Sequence, residues 1–134
     1  MSTKIFVNLP VKDLQKSIDF FSEVGYTFNA QFTDENATSM VISDDIYAML
    51  LTESFFKTFT DREIVDATKQ AEVLIALSAD SREAVDELVD KAIAAGGTEA
   101  REPQDHGFMY GRSYADLDGH VWEIMWMDES AIEG

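Results

Sequence analysis

The chain has 134 residues, of which 46% are apolar and 11% aromatic, enough for one domain with a buried core. It contains no cysteine, which excludes disulfide bonds, thiolate metal sites and thiol nucleophiles. Ten Lys and Arg against 26 Asp and Glu give a formal net charge of −16, which argues against binding to nucleic acid or to anionic membranes.

The first half of the chain predicts one strand, one helix and three further strands. Residues 5–11 are apolar and partly β-branched, and Pro10 near their end is typical of a strand terminus. A helix is predicted from Asp13, a plausible N-cap, to Gly25, a plausible C-cap. Apolar residues recur between them at helical spacing, at Leu14, Ile18, Phe21 and Val24. The following strands are predicted over residues 26–32, 39–42 and 47–52.

A connector over residues 54–70 interrupts this pattern. Phe55, Phe56 and Phe59 cluster near its start, and residues 60–63 have the form of a helix-capping segment. The connector is interpreted as a linker with a short helix or as a flap over a pocket. The phenylalanines favour a dimer contact over a lid.

The second half repeats the order of elements. A strand over residues 72–78 precedes a helix that is capped by Asp80 or Ser81 and stopped by Gly96-Gly97. Further strands are predicted over residues 98–101, 108–115 and 120–127. A hairpin turn at residues 116–119 joins the last two strands, and a loop at residues 102–107 precedes them.

The repeated plan predicts one domain over residues 1–134, built from two βαβββ modules. Module one covers about 4–53, the connector 54–70, module two 71–127 and an acidic tail 128–134. The fold class is α+β, with the two modules forming a curved eight-stranded cup that suits a small-molecule site. A ferredoxin-like βαββαβ fold is the alternative, but it leaves the strands at 47–52 and 120–127 unexplained. The modules pair within one chain or are swapped between chains.

Two sequence motifs resemble the vicinal oxygen chelate superfamily, which includes glyoxalases, bleomycin-resistance proteins and extradiol dioxygenases. Residues 9–26 (LPVKDLQKSIDFFSEVGY) are similar to its V-x-D-L-x-x-S-x-x-F-Y segment with a helix-closing glycine. Residues 116–123 (DLDGHVWE) are similar to its D-P-D-G-x-x-x-E ending, with Leu117 in place of proline. The two motifs span nearly the whole chain and imply the same duplicated fold.

The resemblance also implies a divalent metal such as Ni, Zn or Fe, held by His, Gln or Glu on inward strand positions. The implied positions fall on Phe6 (or Asn8), Leu50, Leu74 and Glu123. Because one carboxylate with apolar groups does not satisfy such an ion, no cofactor is predicted, and Glu123 is a metal ligand only if a metal is bound. The same wall positions, Asn8, Phe6, Leu50 and Leu74, are then candidates for ligand binding.

A second group of candidates lies in the segment 105–112, which is rich in glycine and polar donors. His106 and Tyr110 are candidate catalytic residues together with Glu123, and Arg112 is a candidate ligand-binding residue. His120 is predicted to be a solvated turn residue. Trp122 and Trp126 are predicted to pack against a helix.

Three functions remain open at this level. The favoured one is a cytoplasmic homodimer that binds a small organic molecule in the cup, without the usual metal site. The second is a metal-assisted lyase, isomerase or dioxygenase of the lactoylglutathione-lyase type, which leaves open whether the protein is an enzyme. The third is a ligand-free structural or regulatory dimer. The acidic charge is expected mainly to keep the surface soluble, but it also fits a cationic ligand.

Overall fold

A computed structural model describes residues 3–131. The chain divides into two compact units, the first ending at Val65 and the second beginning at Asp66. Each unit contains one mixed β-sheet and one long helix, so the predicted α+β class is confirmed. Among the described residues, no helix has both the length and the apolar character needed to cross a bilayer.

The first unit has a four-stranded sheet with the strand order β1-β4-β3-β2. β1 runs parallel to β4, and the remaining neighbours are antiparallel. Its elements are β1 (Ile5–Val11), α1 (Leu14–Val24), β2 (Thr27–Asn29), β3 (Ala37–Val41), β4 (Ile46–Thr52) and the single-turn helix α2 (Glu53–Phe56).

Helix α1 begins and ends where the sequence predicts. The Asp13 carboxylate accepts a hydrogen bond from the backbone N–H of Lys16 at 3.1 Å, which satisfies one of the free donors of the first turn. Gly25 has φ 122°, and its N–H donates to the Phe21 carbonyl, so the helix stops there. Phe20 and Phe21 are buried, which fixes the helix on the sheet.

The first sheet has one face covered by α1, and its other face is exposed at the β1 edge, although Ser39 and Leu51 of that other face are buried. Leu9 and Leu50 are partners in the register of β1 and β4, and both are buried on the side that α1 covers. Phe6 and Asn8 alternate with Leu9 and therefore lie on the other face, where Phe6 is 54% exposed.

The second unit has a sheet with the strand order β5-β9-β8-β6, and β7 adds to it by pairing with β8. β5 is parallel to β9, and the other pairs are antiparallel. The elements are β5 (Leu74–Ser78), α3 (Arg82–Ala94), β6 (Thr98–Glu99), β7 (Gln104–Asp105), β8 (Met109–Ala115) and β9 (Val121–Met127). The Ser81 hydroxyl caps α3 by accepting a hydrogen bond from the N–H of Ala84.

The turn between β8 and β9 is built around the carboxylate of Asp116. It accepts hydrogen bonds from the N–H groups of Asp118 and His120 and from the indole of Trp122, at 2.9 to 3.0 Å. Burial raises the pKa of Asp116. Gly119 has φ 90°, and a Cβ there would come within 2.7 Å of the backbone of Ala67. Residues 116–119 (DLDG) therefore form a turn whose shape depends on the Asp116 carboxylate and on the glycine.

Three details differ from the sequence-based expectations. The short helix of the connector is α2, and residues 60–63 start no helix because a loop follows them. The loop at 102–107 contains β7, so the described strands number nine and not eight. His120 is 8% exposed and not solvated, because its backbone folds back onto Asp116. The predicted tail lies partly outside the described residues.

Candidate functional site

Glu123 lies on the face of the second sheet opposite α3. Its register partners are Ala76 on β5 and Ser113 on β8, and partners directly across a sheet point to the same side. Trp122 and Ile124 alternate with Glu123 and are buried on the other side, as the sequence predicts for Trp122. Because α3 covers that other side, Glu123 projects from the face that the helix leaves uncovered.

An arginine that the sequence interpretation did not select pairs with Glu123. The Arg101 Nη2 atom lies 3.5 Å from Oε2 of Glu123. The Glu123 side chain is 24% exposed and that of Arg101 is 61% exposed. Arg101 follows β6, and its backbone N–H donates to the Ser113 hydroxyl at 3.2 Å, which anchors the chain beside the strand. The pair gives this face one partly buried acceptor and one exposed donor.

A shallow, open pocket surrounds this pair, with a cavity volume of about 20 Å³, or about 280 Å³ when the open space in front of it is included. Met109 and Met125 supply flexible apolar side chains; Gly111 is the register partner of Met125 and lies two residues from Met109 on the same face of β8. A Cβ on Gly111 would meet the Ile124 carbonyl only at 3.5 Å, so the glycine leaves space that a larger side chain would fill. The complete lining is Arg101, Gln104, Met109, Gly111, Arg112, Ser113, Glu123, Ile124 and Met125.

Tyr110 and Arg112 have their side chains on the helix side of the sheet. The Tyr110 hydroxyl donates to Asp86 at 2.6 Å, and this hydrogen bond raises the pKa of Tyr110. Arg112 Nη1 donates to Asp86 and to Asp90 on α3, at 3.1 and 2.9 Å. Burial alone would lower the pKa of Arg112, but the hydrogen bonds to these carboxylates outweigh burial and raise it.

The strand register therefore separates Tyr110 and Arg112 from Glu123. The expectation that the three side chains gather in one site does not agree with the alternation along β8, in which Arg112 pairs with Ile124 and Ser113 pairs with Glu123. Arg112 borders the pocket, but its guanidinium is engaged by the helix. These two residues fasten α3 to the sheet.

His106 lies in the turn between β7 and β8 and is exposed. Its N–H donates to the Met109 carbonyl, and its ring lies 6.5 Å from that of Phe108. The turn is held by Arg82, which makes two hydrogen bonds of 2.9 Å to Asp105 and one of 2.8 Å to the Gly107 carbonyl. The structure places His106 at the tip of the turn and not among the residues that line the pocket.

Arg82 also lies over two aromatic rings. Its guanidinium carbon lies 5.2 Å from the ring centres of both Tyr110 and Trp126, a geometry favourable for cation–π attraction. The hydrogen bond to Arg82, with that from the Gly107 N–H, lowers the pKa of Asp105 to about 2. The turn that carries Gln104 and Met109 at its two ends is thus firmly tied to the start of α3.

The remaining predicted wall positions belong to different faces. In the first unit, Phe6 and Asn8 are on the exposed face, where Phe6 stacks on Tyr47 at 5.1 Å. Leu50 does not share that face; its assignment to the same wall is wrong, because its register partner is the buried Leu9. In the second unit, Leu74 pairs with Val121, is 57% exposed and lies on the face of Glu123.

The residues at the implied metal positions do not fit a divalent ion. Glu123 is the one carboxylate among them, and it faces the cationic guanidinium of Arg101, which competes for the same oxygens. Across residues 3–131, no group of three or more His, Asp or Glu side chains is arranged so that it could hold a metal ion. The side chains at these positions therefore give no basis for a metal-dependent reaction step.

The pocket residues not predicted from the sequence are Arg101, Gln104, Met109, Gly111, Ser113, Ile124 and Met125. Two of these residues could have been predicted from the hairpin turn. When Ala115 pairs with Val121 across the turn, Ser113 pairs with Glu123 and Gly111 pairs with Met125. Arg101 and Gln104 have no such signal, because β6 and β7 have two residues each and show no alternation.

Comparison with known families agrees with this architecture. Residues 5–124 match the model of the Glyoxalase/Bleomycin resistance protein/Dioxygenase superfamily. The chain belongs to this superfamily. The superfamily resemblance inferred from the two motifs is thereby confirmed. No curated protein matches the sequence significantly.

Solved structures extend the likeness over nearly the whole chain. The hypothetical protein SA1046 from S. aureus is 29% identical, with a TM-score of 0.79 and 94% of each chain covered. A glyoxalase-related enzyme from Fulvimarina pelagi is 19% identical, with a TM-score of 0.79 over 94% of this chain and 88% of the other. TnmS3, an antibiotic binding protein from Streptomyces sp. CB03234, is 18% identical, with a TM-score of 0.66 over 95% and 97%. At these identities, the last two likenesses concern the fold.

Proposed function

We propose that this superfamily member binds a small organic molecule on the uncovered face of its second sheet. The observation that carries the proposal is the pocket, which is lined by the apolar side chains of Met109 and Met125 and by the charged pair of Glu123 and Arg101. An apolar floor with a few convergent polar groups is the usual composition of a small-molecule site. Antibiotic binding by the structural neighbour TnmS3 is consistent with this role.

The pocket favours binding over catalysis. Glu123 is a hydrogen-bond acceptor and Arg101 a donor, so the pair orients polar groups of a ligand. His106 and Tyr110, the other candidate catalytic residues, lie at a turn tip and on the helix side of the sheet. A glyoxalase-type or dioxygenase-type reaction would need donor groups beyond this pair.

A thermal-shift screen with a library of small organic molecules tests the proposal. Molecules that bind the native state raise the melting temperature of the parent protein, and at a fixed concentration a tighter binder raises it more. We expect these shifts to disappear in Gly111→Val, because the added methyl groups occupy the space beside Met125.

Ala115→Val is the matched control, since Ala115 lies on the same face of β8 outside the pocket lining. It should keep the shifts of the parent. Equal shifts in the parent and in Gly111→Val, with both variants folded by circular dichroism, would show that the ligand binds elsewhere. A screen without any stabilising molecule would reject the proposed function.

A further inference from the structure

Glu123 and Arg101 differ in how firmly the surrounding structure holds their side chains. Glu123 is a central residue of β9 with 24% of its side chain exposed, whereas Arg101 reaches over it from the chain after β6 and is 61% exposed. Their separation of 3.5 Å exceeds the roughly 2.7–2.9 Å of a strong charge-assisted hydrogen bond. Exposed ion pairs of this kind contribute little stability. Arg101 is therefore a weakly held cation at a well-fixed carboxylate.

The floor beside this carboxylate suits a flat apolar group. Gly111 pairs with Met125 across the strands and lies two residues from Met109 on the same face, so no side chain rises from the sheet at residue 111 beside the two methionines. Methionine sulfur makes favourable contacts with aromatic rings, and its flexible side chain adapts to their outline. An aromatic ring system lying on this floor would bring its edge towards Glu123.

The charges around the pocket favour a cation at that edge. The formal net charge of −16 concentrates cations near the surface. Besides Arg101, the positively charged residue of the lining is Arg112, and its guanidinium is engaged by Asp86 and Asp90 on the helix side.

We infer that the ligand of the proposed site is a flat aromatic molecule with a positive charge, which displaces Arg101 from Glu123. The inference rests on the proposed binding function and assigns opposite effects to the two residues. Removing the Glu123 charge weakens binding of such a cation. Removing Arg101 strengthens it, because the competing guanidinium is gone. A ligand with a carboxylate would respond to both changes in the opposite sense.

Fluorescence titration with three tricyclic probes of similar shape tests the inference. Proflavine is a planar cation, acridone is neutral, and 9-anthracenecarboxylate is an anion. We expect the parent to bind proflavine most tightly. Glu123→Gln should weaken proflavine binding by about tenfold or more, as for the loss of one charge-assisted hydrogen bond. Arg101→Ala should strengthen it by about threefold.

Glu87→Gln is the matched control for the change in net charge. Glu87 is exposed on α3, on the other side of the sheet from Glu123, and pairs with Lys91. It should leave proflavine binding within about twofold of the parent. Equal weakening by Glu87→Gln and Glu123→Gln would show unspecific attraction and overturn the inference, as would weaker proflavine binding in Arg101→Ala.

The remaining outcomes separate this inference from the proposed function. If acridone or 9-anthracenecarboxylate binds as tightly as proflavine and Gly111→Val abolishes that binding, the pocket binds ligands but the preference for a cation is wrong. If no probe binds in a manner that Gly111→Val abolishes, the inference is wrong, and the library screen alone decides whether the pocket is a binding site.

Discussion

Asp105 shows how one exposed ion pair positions a turn at the edge of the pocket. Both of its carboxylate oxygens accept hydrogen bonds from Arg82, and one also accepts from the Gly107 N–H. The shape of the turn therefore depends on the ionised carboxylate. Since Gln104 and Met109 lie at the ends of the turn, the same bonds fix one side of the pocket.

This dependence predicts a pH effect on stability. The pKa of Asp105 is about 2 in the folded protein against an ordinary value of 3.8, so the folded state favours the charged form. The stabilisation is complete above about pH 4 and disappears as the pH falls from 3.8 towards 2. Asp105→Asn should therefore lower the melting temperature at pH 6, and the difference from the parent should shrink at pH 3 and below.

The exposed Asp61 provides the control for this measurement. Asp61→Asn should leave the melting temperature nearly unchanged at both pH values, as is usual for surface substitutions. A difference between Asp105→Asn and the parent that stays constant down to pH 2 would contradict the assigned role of the Arg82 pair.

The β8–β9 hairpin is the element on which the second unit depends most. Its turn uses Asp116 to bind two backbone N–H groups and the buried Trp122 indole, and Gly119 lies against the backbone of Ala67 and Thr68. A side chain at residue 119 would meet atoms that cannot move aside and would also occupy a positive φ.

Gly119→Ala should therefore destabilise the protein by at least about 2 kcal/mol, combining backbone strain with a steric clash. Gly107→Ala separates the two effects, because Gly107 also has a positive φ (81°) but has no atom within 4 Å of the added Cβ. It should lose only about 1 kcal/mol. Urea unfolding followed by tryptophan fluorescence measures both, and similar losses for the two variants would refute the steric account.

Elements with long periodic patterns could be predicted from the sequence. Helix α1 was defined by its apolar spacing and by Asp13 and Gly25, and the hairpin by residues 116–119. The same hairpin register contains the information that Arg112 pairs with Ile124, so its separation from Glu123 was also predictable. The two-residue strands β6 and β7 show no pattern, and the position of Arg101 depends on them.

At the scale of the whole molecule, uncovered apolar side chains suggest a partner. Phe6 on β1 and Leu74 on β5 are 54% and 57% exposed, each near the start of an edge strand. Exposed apolar strands tend to be covered by another chain. A homodimer is predicted from the sequence, and we propose that it forms through such strands.

This proposal predicts a salt-dependent association. Two copies with a formal net charge of −16 repel each other, so dimerisation should strengthen as salt screens the charge. Analytical ultracentrifugation should show twice the chain mass at high salt, and Phe6→Asp should shift the protein to monomer. Thr27→Asp on β2, at the other edge of the same sheet, is the control. A parent that is monomeric at every salt concentration would exclude the dimer.

The hydrogen bonds of the Asp116 turn involve none of the side chains that line the pocket. The superfamily motif near the end of this chain forms the turn that joins β8 and β9. Its role in the turn does not depend on the groups at the neighbouring surface. Substitution of the pocket side chains therefore leaves these hydrogen bonds in place. The motif in this turn therefore identifies the fold, and the ligand has to be inferred from the residues of the pocket itself.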